Sequence, residues 1–547
     1  MNTQPRRARW AVASALGLAV LLVAAGCRTA DSGTSTAVTT TQPAKDGGTI
    51  VMAVDQETDG WNPVVSQWTN AAYWVGSSVI EPLTTYDEHG ETVMWLAESI
   101  TPTVPGKFDS WQIKVKPGIT FHNGEVLDAD VVKANLELLT NGKALAGIAL
   151  GTRFVDFPKV DDRTVQVNLT LPWADFPAFM AGPTGMMMAT EQINAPYGGL
   201  GHPIGTGPFV FDSWVPNESL KVHKNTKYWR PGEPHLDAIE FRPIVDNKKA
   251  ISALQNGDVD LVVTSKAGDI DLAGQGYEVS KDFKTEKTFI VINTEQHPDL
   301  PANPLRNLHA RRALALATDR AAVRAQVGAG QELETSTQIM VTGTPWAVPE
   351  DQTAYYAFDV DKAKQEVAAY QAETGGQPFE FELNTTNAPD DLAIAQMLSD
   401  QWKAAGITAR VRPKDTQPLV LDTVTGKFDA VIQRNYGYPN PDNVTPLLLS
   451  SNAKGPGALS VNFMQLKDPV IDQSVAAIMA TTDRNVQREQ YLTITRQMNE
   501  AAVNQWLYDT PFAVLRIPAV KGTETLETHA FGNSMPKPWL WGGVWRE

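Results

Sequence analysis

Apolar and polar positions alternate sharply between Trp111 and Val132, which reads WQIKVKPGITFHNGEVLDADVV. Trp111, Ile113 and Val115 interleave with Gln112, Lys114 and Lys116, predicting a strand with one buried face and one wet face. Pro117-Gly118 sets a turn, Ile119 to His122 extends again, and Asn123-Gly124 suits the positive φ of a tight turn. Asp128 then stands where a helix N-cap belongs. Val131, Val132, Leu136 and Leu139 follow at helical spacing, and Asn141-Gly142 closes the helix.

The same reading extends along the chain. Thr49 to Val54 is a short apolar strand. Asp59 to Trp74 gathers Trp61, Trp68, Tyr73 and Trp74 in a polar loop around Asn62-Pro63. Aromatics this dense in a loop are either interdomain packing or the wall of a ligand site. Thr288 to Asn293 (TFIVIN) is a β-rich run, after which helices alternate with strands. Ile394, Leu398, Trp402 and Ala405 share a helix face that ends at Gly406, and Ile407, Ala409 and Val411 alternate directly afterwards. This succession predicts an α/β region with a mixed sheet. A long helix over Asp483 to Trp506 and a strand over Pro511 to Ile517 complete the pattern, with no solenoid-type repeat.

The N-terminus changes the picture. Arg6, Arg7 and Arg9 precede an apolar run from Trp10 to Ala25, then Gly26-Cys27. That is the form of a secretory leader, too short and too close to the terminus for a stable spanning helix. Cys27 is the chain's only cysteine, so no disulfide can form within one chain. Residues 28–47 are small, polar and rich in Thr and Ser, the composition of a disordered tether. At 42% hydrophobic and 20% charged overall, the 547-residue chain has globular composition, with length for two or three domains. A net charge of -16 argues against nucleic acid as a partner, which would need clustered Lys and Arg.

No catalytic motif emerges. His-Glu-x-x-His, Gly-x-Ser-x-Gly, the P-loop and Cys-x-x-Cys are all missing, and the eight histidines are scattered without metal-ligand spacing. His122 reads as a turn residue. The pairs Asp161-Asp162 and Asp390-Asp391 fall at a turn and a helix start, where carboxylates cap N–H groups. No metal or organic cofactor is implied.

The wording of the Trp111–Val132 segment resembles the signature region of the family 5 extracellular solute-binding proteins, the large peptide-binding subunits of ABC importers. Further segments match in order: Ile204 to Trp229 (IGTGPFVFDSWVPNESLKVHKNTKYW), Ala253 to Leu261 (ALQNGDVDL), Arg311 to Val323 (RRALALATDRAAV), Gly426 to Asp442 (GKFDAVIQRNYGYPNPD), and Asp468-Pro469 with Asp472. Together they cover roughly residues 48–517. The resemblance implies an α/β, two-lobed periplasmic-binding-protein-like fold of the type II, large peptide-binding subclass. It further implies an extra subdomain in lobe I and a hinge of two crossovers. The expected division is a signal peptide over 1–26, a lipidated Cys27 with tether over 27–47, lobe I over 48–290 with its subdomain near 83–190, lobe II over 291–508, and a return to lobe I over 509–547.

By the same resemblance Ala24-Ala25-Gly26-Cys27 looks like a lipobox, with Cys27 lipidated and the body held outside the cytoplasm on the cell membrane. The implied function is capture of a peptide or peptide-like solute for ABC permease and ATPase subunits, by a monomeric body closing two lobes. A regulatory or scaffolding cell-envelope lipoprotein of the same fold is the alternative. Trp61, Trp68, Tyr73, Asn293, Arg434, Tyr436 and Tyr438 are the expected ligand contacts. Peptide-binding members carry an Asp for the peptide's α-amino group near Gly437, but here no acid lies between Asp429 and Asp442. The expectation from that segment is an N-blocked or anionic solute, with Arg434 as counter-ion and Tyr436 and Tyr438 as walls.

Overall fold

The computed structural model describes residues 43–66, 68, 70–87, 90–140, 150, 153–195, 199–280, 286–330, 332–340, 344–436, 440–510, 513–523, 527–528, 535–536 and 541–547. The leader, Cys27, most of the tether, Asn141-Gly142 and Tyr438 therefore lie outside the described residues. Among the described residues no helix is long and apolar enough to cross a membrane.

Two sheets organise the body. The first has seven strands in the order Glu278–Ser280, Ala513–Arg516, Leu261–Thr264, Thr49–Val54, Ala238–Pro243, Ser219–Lys224, Phe209–Val215. Thr49–Val54 runs parallel to both its neighbours, so these three strands point their carboxyl ends the same way. The second has five strands in the order Thr408–Lys414, Glu380–Thr386, Ala430–Tyr436, Glu286–Ile292, Asn504–Thr510. Its first three are mutually parallel, and Glu286–Ile292 is antiparallel to both its neighbours. The chain enters this sheet along Glu286–Ile292 and leaves along Asn504–Thr510, adjacent strands that make the two crossings neighbours. This is the mixed α/β, two-lobed arrangement expected from the sequence.

A five-stranded antiparallel sheet holds the Trp111 segment. Trp111, Ile113 and Val115 are buried on the Ser110–Val115 strand as the alternation predicts. Asp128 caps the helix Ala129–Leu138, accepting from the backbone N–H of Asp130 at 3.0 Å and Val131 at 3.1 Å. The His122 N–H reaches Gly205 O at 2.9 Å and its Nε2 meets Gly207 O at 3.0 Å, docking this turn on the Gly205-Thr206-Gly207-Pro208 turn. Those glycines allow close approach: a Cβ on Gly205 would lie 1.9 Å from Val79 O, and one on Gly207 2.7 Å from Ser78 O. His122 is thus a structural residue, and burial pulls its imidazole down to about 4.

One element departs from the pattern. The last long helix is Arg484–Glu500, capped by Asp483, and Trp506 lies in the strand Asn504–Thr510 rather than in the helix. Ala502 adopts φ 50°, which stops the helix. Beyond it the Asn504–Thr510 strand is buried on both faces, and such a strand shows no alternation to separate it from a buried helix.

Candidate functional site

In open α/β sheets, ligands sit outside the carboxyl ends of the parallel strands. Here the carboxyl ends from the two sheets carry residues that meet one another. Thr49–Val54 delivers Asp55 and Leu261–Thr264 delivers Lys266. From the second sheet, Ala430–Tyr436 carries Arg434, and Glu380–Thr386 leads into the helix Pro389–Lys403 with Asp390 and Asp391 in its first turn. Arg434 Nη2 lies 4.0 Å from Asp55 Oδ2, and Lys266 Nζ pairs with Asp390. Each lobe thus contributes one cation and one carboxylate, matched to opposite charges on the other.

Burial dominates the electrostatics. It pushes the Asp55 carboxyl above the usual carboxylate range, with Arg434 opposing, and it lowers the Lys266 ammonium against the pull of Asp391. Asp390 and Asp391 do not cap backbone N–H groups as expected. The N-cap position is Ala388, and Asp391 instead accepts from Thr386 Oγ1 while Asp390 reaches across to Lys266.

The two crossing strands are tied together by polar side chains. Lys287 and Asp509 are register partners joined at 2.6 Å, and Thr288 and Thr510 hydroxyls meet at 2.7 Å. These groups are buried and satisfy one another.

The expected ligand contacts fall in different places. Trp61 is 3% exposed in the lobe I core, edge-on to Trp68 at 6.3 Å and Trp214 at 5.7 Å. Trp68 donates from Nε1 to Gly60 O at 3.0 Å, and its ring fills the space a Cβ on Gly76 would need. Tyr73 is also buried, its hydroxyl donating to Ala181 O at 2.6 Å. These three side chains are engaged in packing, as aromatic-rich loops often are. Asn293 is fully buried, donating to Gly426 O at 2.9 Å and Phe428 O at 3.1 Å and accepting from the Glu295 N–H, so its amide secures a loop. Arg434 alone of the described side chains in that set faces a residue of the opposite cleft wall. Tyr436 ends the same strand.

Sequence reasoning missed Asp55, Lys266 and Asp390 as cleft residues, and it missed Glu81. This buried carboxylate accepts from Tyr228 at 2.6 Å, Thr206 at 2.8 Å, and the indoles of Trp95 and Trp229 at 2.9 Å each. It joins the Gly-Thr-Gly-Pro turn to the Tyr228-Trp229 turn, and burial raises its pKa against those four donors. Among the described residues no group of three or more His, Cys, Asp or Glu could hold a metal ion.

Comparison with known proteins bears on the family and the fold. The model of the bacterial extracellular solute-binding proteins, family 5 middle, matches residues 91–456. The nickel-binding periplasmic protein of Escherichia coli strain K12 is 25% identical over 483 residues, covering 82% of this chain and 88% of that protein. Glutathione-binding protein GsiB of Pectobacterium atrosepticum is 32% identical over 186 residues; the match spans 34% of this chain but only 36% of that relative's length. The fold matches that of the oligopeptide-binding protein AppA from Bacillus subtilis, solved with a nonapeptide. The TM-score is 0.77 at 21% identity, covering 92% of this chain and 100% of the other.

Proposed function

The chain belongs to the bacterial extracellular solute-binding proteins, family 5, a family of binding proteins and not enzymes, and from that premise we propose that it captures a peptide or peptide-like solute for an ABC importer. The observation that carries the reading is the opposed pair of strand ends, where Asp55 and Lys266 of one lobe face Arg434 and Asp390 of the other. A solute touching both walls has different contacts in the open and closed states, which is the condition for a ligand to shift a hinge equilibrium. The two crossings run along adjacent, paired strands.

A solved relative bound to peptide and the glutathione-binding relative, whose ligand is itself a tripeptide, support the solute class, and the nickel-binding relative marks the competing one. In this reading residues 1–26 are the leader, Cys27 carries lipid, 27–47 tether the body outside the cytoplasm, and 48–290, 291–508 and 509–547 are lobe I, lobe II and the return. The test is a native mass spectrum of protein purified without denaturation. A carried solute whose fragments show amide bonds supports the reading; a carried sugar or metal complex with no amide bond overturns it. Mass spectrometry of the membrane fraction checks the anchor, since a diacylglyceryl mass on Cys27 is expected and an unmodified Cys27 contradicts it.

A further inference from the structure

Apart from the crossing strands and the charged contacts at the strand ends, the two lobes meet at a third place. After the strand Thr164–Leu169 the chain makes a short excursion over residues 173–179, ending in the one-turn helix Phe176–Phe179. This excursion lies against two helices of lobe II, the end of Pro469–Met479 and the first turn of Arg484–Glu500. The Trp173 N–H donates within lobe I to Phe108 O at 2.8 Å, and the next N–H, that of Ala174, donates across to Met479 O at 2.8 Å. Trp173, Phe176 and Phe179 are buried in one apolar cluster with Val475, Ile478 and Met479. The Arg153 guanidinium lies over the Trp173 ring at 5.0 Å and reaches the Met479 sulfur.

Asp175 supplies an independent observation. It occupies the N-cap position of Phe176–Phe179, yet its side chain makes no capping bond, the ordinary use of an Asp at that position. The carboxylate turns instead to lobe II and accepts from Gln487 Nε2 at 2.7 Å. Gln487 is 1% exposed and is held from its own lobe, accepting from Trp346 Nε1 at 3.0 Å and donating to Thr481 O at 2.9 Å. Burial pushes the Asp175 carboxyl up, and the groups that oppose it, Gln487, Asn440 and Arg484, all belong to lobe II. On the rim Arg484 also pairs with Glu91 at 2.7 Å, an exposed contact of minor weight.

Within the two-lobe reading, on which this rests, we infer that residues 173–179 form a latch on the lobe II helix pair, so that the solute-free protein populates the closed form. Every contact named joins protein to protein and needs no solute. The apolar burial and the Asp175–Gln487 bond exist only while the lobes are shut, so they bias the hinge toward closure on their own. A solute that binds the closed form then has its apparent affinity set partly by the fraction already closed. The latch thus tunes binding from residues outside the strand-end site.

Hydrogen exchange on the full chain, freed of carried solute and resolved to single amides by fragmentation in the mass spectrometer, reads the latch directly. Adjacent amides give an internal control, since Trp173 is bonded inside lobe I and Ala174 across the lobes. Both are expected to be protected in wild type. Asp175→Ala, which has no capping bond to lose, should speed exchange at Ala174 about tenfold while Trp173 and the Ser110–Val115 strand stay protected. Arg484→Ala, at an exposed position, should speed it about two- to fivefold. Ala174 exchanging in solute-free wild type as fast as an unstructured amide overturns the latch, as does unchanged Ala174 protection in Asp175→Ala. Should Asp175→Ala also deprotect the Ser110–Val115 strand, lobe I has opened locally and Arg484→Ala decides by the same comparison. No solute enters the measurement, so its failure leaves the solute class untouched, and a wrong solute class leaves the latch standing.

Discussion

Lys287 and Asp509 face each other across the two strands that join the lobes, Nζ to Oδ1 at 2.6 Å, with side chains 4% and 3% exposed. They are register partners, so the ion pair fixes how the outgoing and returning chain lie side by side. Buried pairs are costly to break from one side because the surviving charge loses its compensation. Lys287→Met is therefore expected to cost about 3–5 kcal/mol in chemical denaturation. The double variant Lys287→Met with Asp509→Leu should recover a large part of that loss. A single variant as stable as wild type would show that the pair contributes nothing to the hinge.

Trp61 sits where a cavity would be left. Trp61→Ala is expected to destabilise the body by about 3–5 kcal/mol, because the ring packs against both Trp68 and Trp214. The check is to measure thermal midpoint and ligand affinity on one sample. A nearly unchanged midpoint with affinity weakened by about 1–3 kcal/mol, the signature of a binding anchor, would return Trp61 to the cleft wall.

Burial pushes the Asp429 carboxyl up to about 6 from an ordinary 3.8, with the Glu382 N–H opposing and the Glu382 charge reinforcing it. The folded state therefore binds a proton more tightly than the unfolded state. This group's contribution is fully favourable below about pH 4 and is lost as pH rises through about 6, up to roughly 3 kcal/mol. Asp429→Asn should flatten that dependence. The measurement is the stability difference between wild type and variant at pH 5 and pH 7.5, which should shift in the variant's favour as pH rises. A difference independent of pH would contradict the sign.

Glu81 is the acceptor for four buried donors. Glu81→Ala would leave those donors without their common acceptor, at about 1–3 kcal/mol for each buried group left unsatisfied, the terms not adding fully. Lobe I should lose its cooperative unfolding transition or show a sharply lowered midpoint by calorimetry. A midpoint within a degree or two of wild type would show that the donors find other partners.

Much of what is decided within one element and its turns was legible in the sequence. Trp111, Ile113 and Val115 announce their buried face by alternation, and Asp128 announces its cap by standing just before the helical spacing. Gly205 and Gly207 stood inside a segment matched by resemblance, but only the packing against Ser78 and Val79 explains why both must lack a side chain. The Asp55–Arg434 and Lys266–Asp390 contacts were not legible. Each joins residues far apart in the chain, and a single Asp after a strand looks the same whether it faces solvent or an opposing lobe. The Trp61–Trp68–Tyr73 cluster was ambiguous for the complementary reason, since aromatic density is shared by cores and ligand walls.

Two lobes that close over a peptide-like solute must change their separation when it binds. The body from Lys45 contains no cysteine, so spin labels can be placed at Val215→Cys in lobe I and Leu421→Cys in lobe II, both exposed positions. Pulsed dipolar spectroscopy then reads the distance between the lobes directly. Saturating free dipeptides are expected to shift the distribution to shorter, narrower distances, while neutral disaccharides leave it unchanged. A distribution indifferent to peptides, or one that tightens only with disaccharides, would contradict it.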